Sequence, residues 1–482
     1  MSDFPEHWQL LPLEDVMEAI IDYRGKTPKK TDHGMPLITA KIVKGGRILE
    51  PAEFIAEEDY DTWMVRGLPE VGDVVVTSEA PLGEVAQLTD SNVALAQRIV
   101  TLRGKTGILN NDFLLCAMQS NYVQHQLESR ASGSTVKGIK QSELRKVLLP
   151  IPPEDEQIEI ANHIKTLSNK IELNRQTNQT LEQIAQAIFK SWFVDFEPVK
   201  AKIAAKQNGQ NPELAAMCAI SGKTEEQLKE LESFAKGQFQ DLEDSEKLGA
   251  TSFEKLAATA ALFPDALVES ELGEIPEGWE VADLKSATTE LRRGISPKYT
   301  EENGIQVINQ KCIRNHSVNF ELTRLNDPVL RKVNGRHVEV GDVLVNSTGV
   351  GTLGRLAPVR YLPEPTVFDS HVTVVRADTA EISKSFLAGL MINKEEYIEA
   401  SGAGSTGQTE LRKQVLEEIK FVKPELEVGV LFEAFVEPVN KQIAKYEQQQ
   451  HVLADVRNVL LPKLLSGLLS GRNVKYASEA VA

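Results

Sequence analysis

The chain has 482 residues, 41% of them hydrophobic and 26% charged, which suits several packed domains and excludes global disorder. Its 53 basic residues are outnumbered by 70 acidic ones, a formal net charge of −17 that argues against a uniformly basic nucleic-acid binder while leaving room for local basic faces. The N-terminus MSDFPEHWQLLPLED shows no leader pattern, no run approaches the roughly 18 apolar residues of a membrane span, and Cys116, Cys218 and Cys312 lie far apart, so a cytoplasmic chain without disulfide, zinc site or membrane contact is expected.

The chain repeats itself once. FPEHW at 4–8 matches IPEGW at 275–279, and RGKTP at 24–28 matches RGISP at 293–297. VGDVVVTS at 71–78 matches VGDVLVNS at 340–347, LGEVA at 82–86 matches LGRLA at 353–357, and FLLCAM at 113–118 matches FLAGLM at 386–391. SGSTVKG at 132–138 has its counterpart in GAGSTGQ at 402–408. The order is kept and the offset drifts by only a few residues, which indicates duplicated domains and not a solenoid of short repeats.

In chain order, residues 1–152 form a β-rich unit in which VVVTS and RIVTLR read as short strands. LPIPPEDEQ at 149–157 then supplies prolines and three acids, a helix start with negative charge beside the positive end of the dipole. A first long helix is predicted over 153–197. Its seam is Ile160, Ile164, Leu167, Ile171, Asn174, Asn178, Leu181, Ala185, Ile188 and Trp192, in alternating steps of four and three. Residues 198–274 are a helical insert and connector, where Thr224 and Gln227 suit a capping box. Residues 275–424 repeat the β-rich unit, with VLVNS and VTVVR as strands, and a second long helix follows over 425–470 before a tail, 471–482. The second seam has the same register: Phe432, Val436, Val439, Ile443, Tyr446, Gln450, Leu453, Arg457, Leu460 and Leu464. Asn178 and Gln450 fall at one level of it, and Pro438 is expected to kink or delay the second helix. The shared register favours pairing of the two helices with each other. At ~1.5 Å per residue each is roughly 55 Å long.

Catalytic patterns are missing. GVGTLG at 349–354 has the spacing of a dinucleotide loop, but the prolines that follow give no helix to face a pyrophosphate, so a turn between strands explains its glycines. There is no phosphate-binding G-x-x-x-x-G-K-[ST], no adenine-methyltransferase [DN]-P-P-[YF], and no metal-ligand spacing among the histidines. The chain is expected to carry no catalytic residue, metal or cofactor of its own.

Nucleic-acid chemistry is better represented. YRGKTPKK supplies Arg24, Lys26, Thr27, Lys29 and Lys30, with Gln97 and Arg98 further on, and the Gly/Ser loop adds Ser134, Thr135, Lys137 and Lys140. The second copy has Arg292, Arg293 and Lys298, then Asn309, Gln310, Lys311 and Arg314, then Ser370 and His371, and in its loop Ser405, Thr406 and Gln408. Lysines and backbone amides suit phosphates, and arginine and amide side chains suit base edges. The first copy is therefore expected to rely more on lysine–phosphate contacts and the second on arginine and amide groups.

The order PEGW, RRGISPKY, GDVLVNSTGVGTLGR, a Gly-Ser-Thr loop and a Pro-led heptad helix resembles the specificity subunit of Type I restriction-modification systems, as do KSWFVDFEPVKAK at 190–202 and ALFPDALVESELGEIPEGW. The resemblance spans nearly the whole chain, and the helical stretch at about 203–260 is the departure from it. It implies an α+β fold of two β-rich target recognition domains joined by a pair of long antiparallel coiled-coil helices, with a pseudo-twofold internal repeat. It further implies recognition of a bipartite, asymmetric site on double-stranded DNA, with the helices as a ruler for the spacer. The implied partners are two modification subunits, which carry S-adenosylmethionine, and two motor-nuclease subunits, which use ATP and Mg. The competing expectation is a coiled-coil scaffold without DNA readout.

Overall fold

The structure is a computed structural model that describes residues 4–133, 136–235, 244–349, 351–402 and 410–469. It divides into two units, Met1–Glu172 with Val452–Ala482, and Leu173–His451.

In the first unit a four-stranded antiparallel sheet has the order Met17–Asp22, Ile99–Gly104, Val74–Ser78, Leu82–Gln87. Alternate side chains of a strand point to opposite faces. Val74 and Val76 therefore enter one core, with Val100, Leu102, Phe113 and Leu127, while Val75 enters another, with Leu37, Ile38 and Leu95. Burial on both faces explains why Val74, Val75 and Val76 are apolar in succession and do not alternate with polar residues. Met35–Ile38 covers the second face, parallel to Ala94–Leu95. Gln9–Pro12 pairs with Leu148–Ile151, so the two ends of the copy meet just before the first long helix begins.

The second unit repeats this plan. Its sheet has the order Thr288–Arg293, Val372–Ala377, Val343–Asn346, Leu356–Pro358. Val343 and Val345 face one core and Leu344 faces another. Ile305–Ile308 runs parallel to Thr366–Phe368, and Glu280–Asp283 closes on Lys420–Lys423.

The long helices are Glu154–Phe193 and Leu426–Leu465. In the first unit Ile160, Ala161 and Ile164 share a core with Leu464 and Leu465. In the second unit Asn174 Nδ2 donates to Gln449 Oε1 at 3.2 Å, Asn178 Nδ2 donates to the Ile443 carbonyl at 3.3 Å, and Phe189 lies 5.9 Å from Phe432. The partner number falls as the first helix advances, so the pairing is antiparallel. Of the predicted seam, Ile160, Ile164, Phe432, Val436, Ile443 and Leu453 are buried. Leu167, Ile171, Leu181, Ile188, Val439 and Leu460 are half-buried. Gln449 is the amide that bonds Asn174 of the first helix, Gln450 is half-buried, and the buried carboxyl on this stretch is Glu447. The second helix starts at Leu426 and runs through Pro438, so its start is not delayed. Pro438 and Ala434, whose carbonyl loses its intrahelical donor, are both exposed, so water can take the place of the missing bond.

The insert is helical: Glu197–Gln207, Pro212–Ser221, Glu225–Ala235 and Asp244–Ala261. Phe196, in the left-handed conformation at φ 53°, turns the chain out of the first long helix. Trp192 meets Phe263 edge-on at 5.2 Å, and Phe196 meets Trp279 at 5.8 Å, so aromatic packing ties the insert to the second copy. Buried Lys202 donates to Glu213 at 2.9 Å and to the Phe263 carbonyl at 2.7 Å, which satisfies its charge. The capping box forms: Thr224 N–H donates to Gln227 Oε1 at 3.0 Å, and Gln227 N–H to Thr224 Oγ1 at 3.3 Å. Thr224→Ala is expected to cost about 1 kcal/mol in urea unfolding, and an unchanged midpoint would show that tertiary packing alone holds this helix. Among the described residues no helix is long and apolar enough to cross a membrane.

Candidate nucleic-acid interface

In each copy one serine at the end of a buried strand gathers the separated polar clusters. Ser78 N–H donates to the Arg98 carbonyl at 2.9 Å, and the Ile139 N–H donates to the Ser78 carbonyl at 3.0 Å. Arg24 Nη1 donates to the Ile139 carbonyl at 2.8 Å, and Thr27 Oγ1 donates to Gln97 Oε1 at 3.0 Å. Glu79 bridges Gly138 through the backbone and accepts from Arg98 Nε at 2.9 Å. Four stretches far apart in sequence thus meet at one end of the sheet.

The second copy builds the same framework. Ser347 N–H donates to the His371 carbonyl at 2.8 Å, and Leu411 N–H donates to the Ser347 carbonyl at 2.8 Å. Arg293 Nη2 donates to the Leu411 carbonyl at 2.9 Å and its Nη1 to Glu410 Oε1 at 2.6 Å. Thr348 bridges Glu410 through the backbone, and its hydroxyl lies 2.7 Å from His371 Nδ1. Asn346 Nδ2 donates to the Gln310 carbonyl at 3.0 Å, which brings the INQK cluster to the same place. Gly294 lies so close to the Phe368 carbonyl oxygen that a Cβ would sit 1.9 Å from it, so the RG pair needs its glycine for backbone approach.

The predicted residues fall into two groups. Several are already engaged. Arg24 and Arg293 hold the loops, Arg98 is paired with Glu79, Lys30 lies 2.7 Å from Glu53, and Arg292 is held by Glu290 at 2.7 Å. Asn309 is buried, donates to the Leu322 carbonyl at 3.1 Å, and accepts from Lys311 N–H at 2.9 Å. Arg292 and Arg293, two of the arginines expected to distinguish the second copy, are therefore tied to carboxylates. The other group is open: Lys26, Lys29, Lys137, Lys140, Lys298 and Lys311 are exposed. None of these lysines has a side-chain hydrogen bond or ion pair among the described residues. Gln310 and Ser370 are half-buried near the second framework, and Arg314 lies on the hairpin Ile313–Arg314/Ser317–Val318. Ser134, Thr135, Ser405, Thr406 and Gln408 lie outside the described residues, as does the predicted tail. Burial pushes the Cys116 and Cys312 thiols up to about 12, so neither is a thiolate at neutral pH. Among the described residues no group of three or more His, Cys, Asp and Glu comes together as a metal site.

A family model described as the Type I restriction modification DNA specificity domain matches residues 5–183 and again residues 276–453, which are the two copies with most of their helices. The chain belongs to this family.

A Type I restriction enzyme HindI specificity subunit from Haemophilus influenzae is 29% identical over 391 residues, 78% of this chain and 81% of that protein. A Type I restriction enzyme MjaIX specificity subunit from Methanocaldococcus jannaschii is 28% identical over 205 residues, 42% of this chain and 47% of that protein. Among solved structures, the Type-I restriction-modification system S subunit from M. genitalium aligns over 95% of this chain and 96% of that chain, with a TM-score of 0.43 and 15% identity. In this specificity-domain protein, sequence reasoning missed Glu79, Thr348 and Glu410 as members of the frameworks. The signal was present: each of Glu79 and Thr348 directly follows the repeated V-x-V-x-S strand.

Proposed function

We propose that the chain is the specificity subunit of a Type I restriction-modification enzyme. Its domains 1–152 and 275–424 each read one half of a bipartite site on double-stranded DNA. The carrying observation is the duplicated framework, with the same backbone ties in both copies and different side chains on them. Identical scaffolds with unlike surfaces suit an asymmetric target. The 40-residue helices, about 60 Å each at ~1.5 Å per residue, offer the docking surface for modification and motor-nuclease subunits and set the spacer. Two copies of each partner fit the internal repeat, and S-adenosylmethionine, ATP and Mg belong to those partners. The assembled enzyme acts in the cytoplasm, where it adds adenine N6 methyl groups or cleaves unmodified DNA.

The test is sequencing of methylated adenines in a host with and without this gene, with the modification subunit present. One bipartite adenine motif should disappear on deletion, and no change in any adenine motif would sink the proposal. Exchange of residues 1–152 with those of a related subunit should alter one half of the motif and leave the other.

The open lysines give a second expectation. Replacing Lys26, Lys29, Lys137 and Lys140 with Gln in the assembled methyltransferase should flatten the plot of log affinity against log salt by about 0.9 for each phosphate no longer neutralised. Fluorescence anisotropy on specific and unrelated duplexes should show similar weakening for both. An unchanged slope would mean that these lysines do not reach phosphates.

A further inference from the structure

The two frameworks share the backbone ties around their serine, and among the side chains that differ on them is one facing pair. In the first copy the pair is Glu79 and Arg98, with Nε 2.9 Å from Oε1. In the second it is Thr348 and His371, with Oγ1 2.7 Å from Nδ1. The positions correspond structurally. Glu79 and Thr348 each follow the serine and bridge the loop, and Arg98 and His371 each offer the carbonyl that accepts the serine N–H. Their exposure corresponds as well: Glu79 and Thr348 are half-buried, and Arg98 and His371 are exposed. Around them the side chains that hold the fold are unchanged in kind, Ser78 with Ser347 and Arg24 with Arg293. A position that keeps its backbone role while its side chain changes from an ion pair to a hydroxyl–imidazole pair is free of the fold's chemistry.

We propose that positions 79/98 and 348/371 are the specificity-determining pair of each half, an inference that rests on the specificity-subunit reading. The first pair has the chemistry of a G·C base pair. With Nε engaged by Glu79, the two Nη groups of Arg98 remain to donate to guanine O6 and N7, and the Glu79 carboxylate can accept from cytosine N4. The second pair is neutral. With Nδ1 taken by Thr348, His371 keeps Nε2, a donor or an acceptor according to tautomer, so its requirement is not confined to G·C.

The experiment maps methylated adenines for the full chain expressed with its modification subunit. The wild type should give a bipartite motif with a G·C pair in the half read by the first copy. Glu79→Thr with Arg98→His should raise methylation of sites lacking that pair about tenfold or more, at one position of that half only. Thr348→Glu with His371→Arg should impose a G·C requirement on the other half only. No adenine motif from the wild type would defeat the specificity-subunit reading itself. A wild-type motif that both double variants leave unchanged would overturn this inference and leave that reading standing. If a double variant methylates nothing, Arg98→Lys and His371→Gln decide. A change confined to one half supports the pair as reader. An unchanged motif, continued loss of methylation or loss of folding makes it part of the framework and overturns the inference.

Discussion

Arg360→Met is expected to destabilise the unit Leu173–His451 by about 3–5 kcal/mol, the usual effect of breaking a buried ion pair from one side. Arg360 follows the strand Leu356–Pro358, and its Nη2 bonds Glu182 of the first long helix, with side chains only 8% and 12% exposed. Its Nη1 donates to the His316 carbonyl at 3.1 Å, and the neighbouring Ser317 hydroxyl donates at 2.7 Å to Glu447 of the second long helix. One guanidinium thus serves two buried carboxyls, one on each helix, and its loss leaves both without a counter-charge. Urea unfolding measures the effect. A loss below about 1 kcal/mol would mean that water reaches the cluster and screens it. Replacing Glu182, Arg360 and Glu447 together by apolar residues should recover much of the loss, since no uncompensated charge then remains buried.

The same cluster carries a pH dependence of definite sign. Burial pushes the Glu447 carboxyl above its ordinary value of 4.5, the Arg360 charge and the Ser317 bond oppose this, and the Glu182 charge adds to it. A folded-state pKa raised above the unfolded one contributes stability that is fully present below the unfolded pKa and lost as pH rises through the folded one. Glu447→Gln removes that dependence. The variant should therefore gain on the wild type as pH rises above 4.5, read as a growing Tm difference between pH 4.5 and pH 8. A constant difference across the range would refute this.

Asp73→Ala and Asp342→Ala are the second pair of large effects, about 3 kcal/mol each. Arg103 Nε and Nη2 both reach Asp73 at 2.8 Å, and Nη1 reaches Glu70 at 2.5 Å. Arg376 reaches Asp342 at 2.7 and 2.8 Å and Glu339 at 2.6 Å. Both aspartates are 1% exposed, and each also accepts from the backbone N–H of the nearby glutamate. The planar fork of arginine matches two carboxylate oxygens at once, so Asp→Asn should cost less than Asp→Ala by keeping one acceptor. Equal effects of Asn and Ala would show that charge and not geometry holds the staple.

How much of this was legible depends on range. VVVTS is the strand Val74–Ser78, and Thr224 with Gln227 is a capping box, because both are set within a few residues. The seam of the long helices was legible as a stripe. That Gln449 bonds Asn174 could not be read from it, since neighbouring residues on a helix point about 100° apart and only the partner helix selects between them. The Asp73–Arg103 and Asp342–Arg376 staples went unread because their members stand 30 and 34 residues apart, each aspartate just before one strand and its arginine on another.

By itself the sequence determined the duplication, the order of β-rich domain and long helix, and the polar clusters that mark each copy. Repeats and periodicity are local properties of a chain, and they survive without knowledge of its contacts. Only the tertiary structure decided which polar groups are open. Arg24 and Arg293 look like DNA-facing arginines in sequence, yet each is held by a carbonyl 115 or 118 residues away, while Lys26 and Lys137 meet no partner among the described residues. A side chain is available to a ligand only through the donors and acceptors that the fold has not already satisfied, and those are settled by contacts between distant segments.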